Sequence, residues 1–280
     1  MTSQELLSAA KAYLQTGTGN RLQSWQALAP ELVDMKIFDD LIMGVASATD
    51  DYLLSLADNT EAGLDQPPPS FWLDGAKSVV SFFLPFTEQV RQSNWREKRN
   101  VPSLEIVHAR NEGQAFINEL TAHLKETLES AGYRVVEPRS DPRFWSAMDV
   151  PKNGKTYVSN WSERHVAWAC AVGTFGLHGG IITKVGAAGR LASLITDLEL
   201  PPTPRPYYEL DEYCIKCDVC VANCPADAIT LDEGKKHPPC REFIKGVEAQ
   251  EAYKDRKYVG ACAKCQVGVP CERGIPGEDD

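Results

Sequence analysis

The chain has 280 residues, 43% of them hydrophobic and 24% charged, so wholesale disorder is excluded and one large domain or two ordinary ones are expected. Its 29 basic side chains face 39 acidic ones, a net charge of −10, which argues against a broad phosphate-gripping surface. Of its nine cysteines, eight lie between Cys214 and Cys271. Secreted disulfide scaffolds are short and Cys-dense throughout, so this distribution points to a reduced compartment and a metal site.

Met1-Thr-Ser-Gln-Glu5 has neither the basic nor the apolar stretch of a secretory leader, and no run approaches the about 18 apolar residues of a membrane span. A cytoplasmic protein without a membrane partner is expected. Thr2 and Glu5 form a capping box, and Leu6, Leu7, Ala10, Tyr13 and Leu14 then recur at helical spacing. Leu41 to Ser47 reads as a buried strand. Pro67 to Pro69 is expected to end a helix begun near Asp50. Ser78 to Leu84, rich in β-branched and aromatic residues, predicts a strand stopped by Pro85. A long helix follows from about Ser103 to Ala131, with Phe116, Leu120, Leu124 and Leu128 as its stripe and Gly132 as its stop. Tyr133 to Glu137 reads as a strand, Ser162 as the cap of a helix to about Ala171, and Ile181 to Thr183 and Leu191 to Thr196 as further strands. Alternation of this kind indicates an α/β or α+β layer fold. Pro201-Pro-Thr-Pro-Arg-Pro206 can continue neither helix nor central strand, which places a boundary between domains 1–205 and 206–280.

Cys214-x2-Cys217-x2-Cys220-x3-Cys224-Pro225 is the run that binds a [4Fe–4S] cube. Zinc knuckles use pairs of Cys-x2-Cys rather than four cysteines ending in Cys-Pro. Cys240, Cys262, Cys265 and Cys271 are less regular, but eight thiolates close the count for two cubes. By the usual crossover Cys214, Cys217, Cys220 and Cys271 hold one, and Cys224, Cys240, Cys262 and Cys265 the other. A single cluster with a zinc or free thiols is the other reading of the second set. Cys170, in Ala167-Trp-Ala-Cys-Ala171, reads as a core cysteine. Two cubes make an electron wire, and the residues before it are expected to house the acceptor.

Gly173-Thr-Phe-Gly-Leu-His-Gly-Gly-Ile-Ile-Thr183, then Thr196-Asp-Leu-Glu-Leu-Pro201 and the double-cluster tail, resembles the epoxyqueuosine reductase and reductive dehalogenase superfamily. Asp39 to Ala46 and Gly75 to Pro85 resemble its N-terminal segments. The resemblance implies a nitroreductase-like α+β core, followed by a ferredoxin-like double-cluster domain. It also implies cobalamin beside the nearer cube, electrons delivered to make cobalt(I), and an acid that protonates a small substrate. Epoxyqueuosine reductases carry an Asp 16 residues before the glycine matching Gly173; here that position is Tyr157, and a tyrosine is the donor in reductive dehalogenases. An ordinary half-buried tyrosine is the alternative. Glu163-Arg164 fits the family's Glu-Arg. The family's Gly-Lys-Asn is absent, whereas His178 matches the dehalogenases' Arg-His-Gly.

The resemblance makes Gly173, Gly176, His178, Gly179 and Gly180 candidates for cofactor contact, since glycine permits close backbone approach; a hydrogen-bonded structural histidine is the other reading of His178. A ferredoxin or flavodoxin donor and a small-molecule substrate are the expected partners. A tRNA substrate is disfavoured by the acidic balance and by Tyr157, although Arg91, Arg96, Lys98, Arg99, Arg134, Arg139 and Arg143 offer a local basic face. A cobalamin-free electron carrier or corrinoid-protein activator is the third reading.

Overall fold

The computed structural model describes residues 1–57, 66–152, 155–250 and 260–277, with the backbone alone described at 148–152 and 155–157. The capping box forms. The Thr2 hydroxyl accepts from the Glu5 N–H at 3.2 Å and the Glu5 carboxylate from the Thr2 N–H at 2.7 Å, opening helix α1 (Ser3–Thr16). Strand β1 spans Ile42–Ser47. Helix α2 is confined to Asp51–Ser55 and ends before the prolines are reached; Pro69 instead opens α3 (Pro69–Trp72), where its missing N–H leaves no bond unmade. Strand β2 (Ser78–Pro85) takes Pro85 in as its last residue.

Helix α4 (Glu88–Arg96) escapes the periodicity reading because it buries only Val90 and Asn94. Helix α5 (Leu104–Ser130) opens on Ser103 and buries Phe116, Leu120, Leu124 and Leu128. At its end Gly132 adopts φ +89, which lets the Gly132 and Tyr133 N–H groups reach the Glu129 and Leu128 carbonyls at 2.9 and 3.1 Å. Strand β3 shrinks to Val135–Val136. A hairpin of β4 (Ser146–Lys152) and β5 (Lys155–Ser159) was not anticipated. Helix α6 (Glu163–Ala169) begins after Ser162, but the Ser162 side chain makes no capping bond. A second hairpin pairs β6 (Gly173–Phe175) with β7 (Ile181–Thr183), and β8 follows at Gly189–Thr196. The tail holds α7 (Val219–Asn223), β9 (Ile229–Thr230), β10 (Gly234–Lys235) and α8 (His237–Glu248).

The central sheet runs β1-β2-β8-β3 and is antiparallel throughout. Side chains alternate across a strand, and β2 displays this directly. Val80, Phe82 and Leu84 pack into the core built on α1 and α5, whereas Val79 and Phe83 pack against α6, Trp72 and Trp161. Both faces are covered, so β2 reads as a continuous apolar run rather than an alternating one. Cys170 is buried just beyond α6, its thiol aimed at the Val79 carbonyl at 3.4 Å; burial pushes that thiol far up, which makes it inert.

The proline-rich segment has no helix or strand, yet it is tied down. Thr203 receives the Val45 N–H on its hydroxyl at 3.0 Å and donates its own N–H to the Val45 carbonyl at 2.9 Å, covering the free edge of β1. Beyond it, Cys220, Cys224 and Cys271 share a small apolar core with Ile182 and Ala187. The thiol-bearing tail is therefore packed on the β6–β7 hairpin and the start of β8.

Gly44 of β1 lies under the end of α6, where a Cβ would run into the Cys170 carbonyl oxygen. Gly44→Ala is expected to destabilise the protein by about 1–3 kcal/mol through overpacking. Denaturant unfolding would register this as a lower midpoint at unchanged slope.

Candidate metal centre

Between Cys214 and Cys220 the backbone reverses through two left-handed residues, Lys216 at φ +52 and Asp218 at φ +59. Each costs about 1–2 kcal/mol for a residue with a Cβ, and such strain persists where the surroundings fix it. The coiling brings Cys214, Cys217 and Cys220 around one pocket with Cys271, which arrives on the turn Pro270–Glu272. The Leu177 N–H donates to Cys214 Sγ at 3.3 Å. Burial, reinforced by the neighbouring thiols, pushes the Cys220 and Cys271 thiols up to about 12. Four thiolates so placed would repel one another, and a bound cation would be needed to hold them all ionised.

His178 stands against this set. It is buried, and Gly176 and Gly180 flank its ring so closely that a Cβ on either would meet the imidazole at 2.7 or 2.8 Å. The close approach these glycines permit is therefore to the histidine. Gly179 takes φ +71 in the turn between them, and Gly173 faces the Ile182 carbonyl across the hairpin. The Gly180 N–H donates to His178 Nδ1 at 2.9 Å. Burial, with Lys235 and Arg164 nearby, holds the ring neutral by lowering its pKa to about 4. A neutral ring that accepts at Nδ1 carries its proton on Nε2, and Nε2 lies 3.8 Å from Cys271 Sγ.

Cys224, Cys240, Cys262 and Cys265 line a cavity of about 280 Å³, whose wall includes His178 and Gly180. The Ala228 N–H donates to Cys224 Sγ at 3.2 Å. Ala263, at φ +52, turns the chain between Cys262 and Cys265. Helix α4 seats that turn, since Asn94 Nδ2 donates to the Cys262 carbonyl at 2.9 Å and Lys264 Nζ donates to the Asn94 and Glu97 carbonyls. Among the described residues no three His, Cys, Asp or Glu side chains converge on a point as ligands of a single ion would; the thiols of each set ring a space. Lys235 sits beside the second set. Burial opposes its charge, but Cys265 and Cys240 outweigh that and raise its pKa. Neither Lys235, Asn94 nor Lys264 stands in a motif that would have marked it in the sequence.

A second cavity of about 410 Å³ is lined by Gly176, Leu177 and Gly179, and it meets the first at Ser159, Ser162, Arg164 and Lys235. Small-molecule pockets occupy roughly 300–1,000 Å³, so a bulky flat cofactor would have to span both. Tyr157 lies on β5 with its backbone opposite Met148, and its side chain falls outside the described residues. Arg91, Arg99, Arg134 and Arg143 are each paired with an acid, Glu272, Asp227, Asp197 and Asp141, at 3.4, 2.6, 2.8 and 2.7 Å. Arg139 lines the first cavity instead.

Residues 208–230 match the family model of a 4Fe–4S binding domain. That match takes in Cys214, Cys217, Cys220 and Cys224. A tetrachloroethene reductive dehalogenase of Desulfitobacterium hafniense is 36% identical over 163 residues, which is 57% of this chain but only 25% of that protein. The epoxyqueuosine reductase of Cyclobacterium marinum is 28% identical over 218 residues, 73% of this chain and 61% of its own length. A crystal structure of epoxyqueuosine reductase with an epoxyqueuosine-modified tRNA-Tyr stem loop matches with a TM-score of 0.54 at 18% identity, covering 98% of this chain and 66% of that one. The curated relatives and structural neighbours of this chain are epoxyqueuosine reductases and reductive dehalogenases, and its tail carries a 4Fe–4S binding domain.

An N–H directed at a cluster thiolate favours the reduced, more negative state. His178→Leu removes it. A cluster that Cys271 would ligate is then expected to shift to a more negative potential by roughly 20–60 mV, taking one hydrogen bond as about 0.5–1.5 kcal/mol. A redox titration followed by electron paramagnetic resonance measures the shift.

Proposed function

We propose that the chain is an iron–sulfur reductase that passes electrons through two [4Fe–4S] clusters to a corrinoid, for reductive chemistry on a small substrate. The observation that carries this reading is the division of eight thiols into two sets, the second of which lines a cavity. Cys214, Cys217, Cys220 and Cys271 would hold the outer cluster, and Cys224, Cys240, Cys262 and Cys265 the one facing the cavity. Backbone N–H groups directed at Cys214 and Cys224 fit thiolate ligation. A corrinoid, when bound, supplies a strongly reducing cobalt centre. His178 and Gly180 would form its wall on one side, and Ser159, Ser162, Arg164 and Lys235 would line the waist between the two cavities. In this reading residues 1–205 form a nitroreductase-like core, 206–280 the double-cluster domain, and a ferredoxin or flavodoxin is the donor.

The alternative, reduction of epoxyqueuosine in tRNA, is favoured by coverage. The chain spans 61% of the Cyclobacterium marinum enzyme against 25% of the Desulfitobacterium hafniense dehalogenase.

Anaerobic protein reconstituted with cobalamin tests the proposal. The expected result is a stoichiometric corrinoid spectrum beside the iron–sulfur absorption, with chloride released from tetrachloroethene under titanium(III) citrate. Conversion of epoxyqueuosine to queuosine within a modified stem loop, without chloride release from tetrachloroethene, would assign the alternative. Iron–sulfur absorption alone after reconstitution would leave an electron carrier.

A further inference from the structure

Glu163 opens α6 and lines the 280 Å³ cavity together with Cys224, Cys262 and Cys265. It is only 8% exposed, and its Oε2 is buried without a hydrogen-bond partner. A buried carboxylate without compensation is expensive, and keeping the proton avoids the cost. Of the polar groups nearby, the Ser193 hydroxyl bonds the carboxyl, and the others are occupied elsewhere. Trp161 Nε1 donates to Ser193 Oγ at 2.9 Å, and the Ser162 N–H donates to Gln66 Oε1 at 2.8 Å. The fold therefore places a buried acid in the first turn of α6, one oxygen bonded to Ser193 and the other without a partner, where it lines the cavity that the second thiol set faces.

The charged groups around it are Arg110 from α5, Glu137 and Arg139 from the turn before β4, Arg190 from β8, and Arg164 and Lys235. Burial outweighs the opposing pull of Arg139 and raises the carboxyl to about 7. An acid is most effective when its pKa lies near the working pH.

We propose that Glu163 is the acid that gives its proton to the species reduced in this cavity. The inference rests on the reductase reading in that it requires a reduction there. Two electrons arrive singly through the clusters from an external low-potential donor. With a carbon–halogen substrate the bond to the leaving group breaks, halide departs with an electron pair, and the carbon takes the two delivered electrons and the Glu163 proton. With an epoxide the two electrons form the alkene as both C–O bonds break, and the oxygen leaves as water with one proton from Glu163 and one from solvent. The carboxylate left behind faces Arg139 and regains a proton from solvent. The family resemblance would give this role to Tyr157, and the two assignments differ in pH signature. A phenol, near pKa 10, keeps its proton through the neutral range, whereas Glu163 loses its own near 7.

The test uses iron-loaded full-length protein and its Glu163→Gln, Glu163→Asp and Tyr157→Phe variants. Infrared difference spectra from about pH 5 to about pH 9 should show a protonated-carboxyl absorption in the wild type that fades with a midpoint near neutrality and is missing from Glu163→Gln. In cobalamin-reconstituted protein with titanium(III) citrate, tetrachloroethene and an epoxyqueuosine-modified stem loop are the probes. Turnover of whichever is accepted should fall roughly 100-fold in Glu163→Gln at unchanged iron content, with partial recovery in Glu163→Asp. Wild-type turnover should decline above neutral pH. An absent carboxyl absorption overturns the proposal whatever the protein reduces. Wild-type turnover in Glu163→Gln, or a pH profile flat through neutrality with activity lost only in Tyr157→Phe, overturns it while the reductase reading stands. If the absorption is present but neither probe is turned over, the reductase reading fails and the donor role fails with it.

Discussion

Eight thiols crowded into the tail cannot all ionise unaided. Burial, together with the neighbouring thiols, pushes Cys220, Cys262 and Cys271 up to about 12. The electrostatic penalty is removed only by positive charge at the centre of each set. The surroundings are arranged for that outcome, with left-handed turns at Lys216, Asp218 and Ala263, N–H donors toward Cys214 and Cys224, and a lysine at Cys240 and Cys265. The rest of the molecule is arranged around this constraint. The β6–β7 hairpin supplies Leu177 and His178 to the first set, α4 anchors the turn of the second, and the sheet holds both hairpin and helix in place.

The glycine loop gains a physical reason from the same constraint. Gly176 and Gly180 leave room for the imidazole of His178, which lines both the first thiol pocket and the cavity of the second set. One neutral ring thus touches the surroundings of both sets. Its orientation is set by a single backbone N–H, so its effect on Cys271 follows from the loop's conformation rather than from its charge.

Much of the frame was legible in the sequence because local rules governed it. The capping box at Thr2, the stripe of α5, its stop at Gly132 and the apolar run of β2 all carried signals that later packing reinforced. What escaped were elements whose reason is tertiary. Helix α4 is polar along most of its length, and its use is to present Asn94 and backbone carbonyls to the Cys262 turn. The β4–β5 hairpin and the partnering of Lys235 with cysteines far from it in sequence have no periodic signature. The proline run did not end a helix, because α2 stops at Ser55 on its own. Glu163 was visible only as half of a dipeptide match; its burial and its unpartnered oxygen exist only once α6 is folded against the cavity.

The account depends on both thiol sets ligating metal. The most direct test is iron and acid-labile sulfide per chain in anaerobically prepared protein, compared among the wild type, Cys240→Ser, Cys271→Ser and Cys170→Ser. Two clusters predict about eight iron and eight sulfide in the wild type and in Cys170→Ser, with each ligand variant losing one cluster's worth while keeping the other. About four iron in the wild type, unchanged by Cys240→Ser and accompanied by zinc, would contradict it.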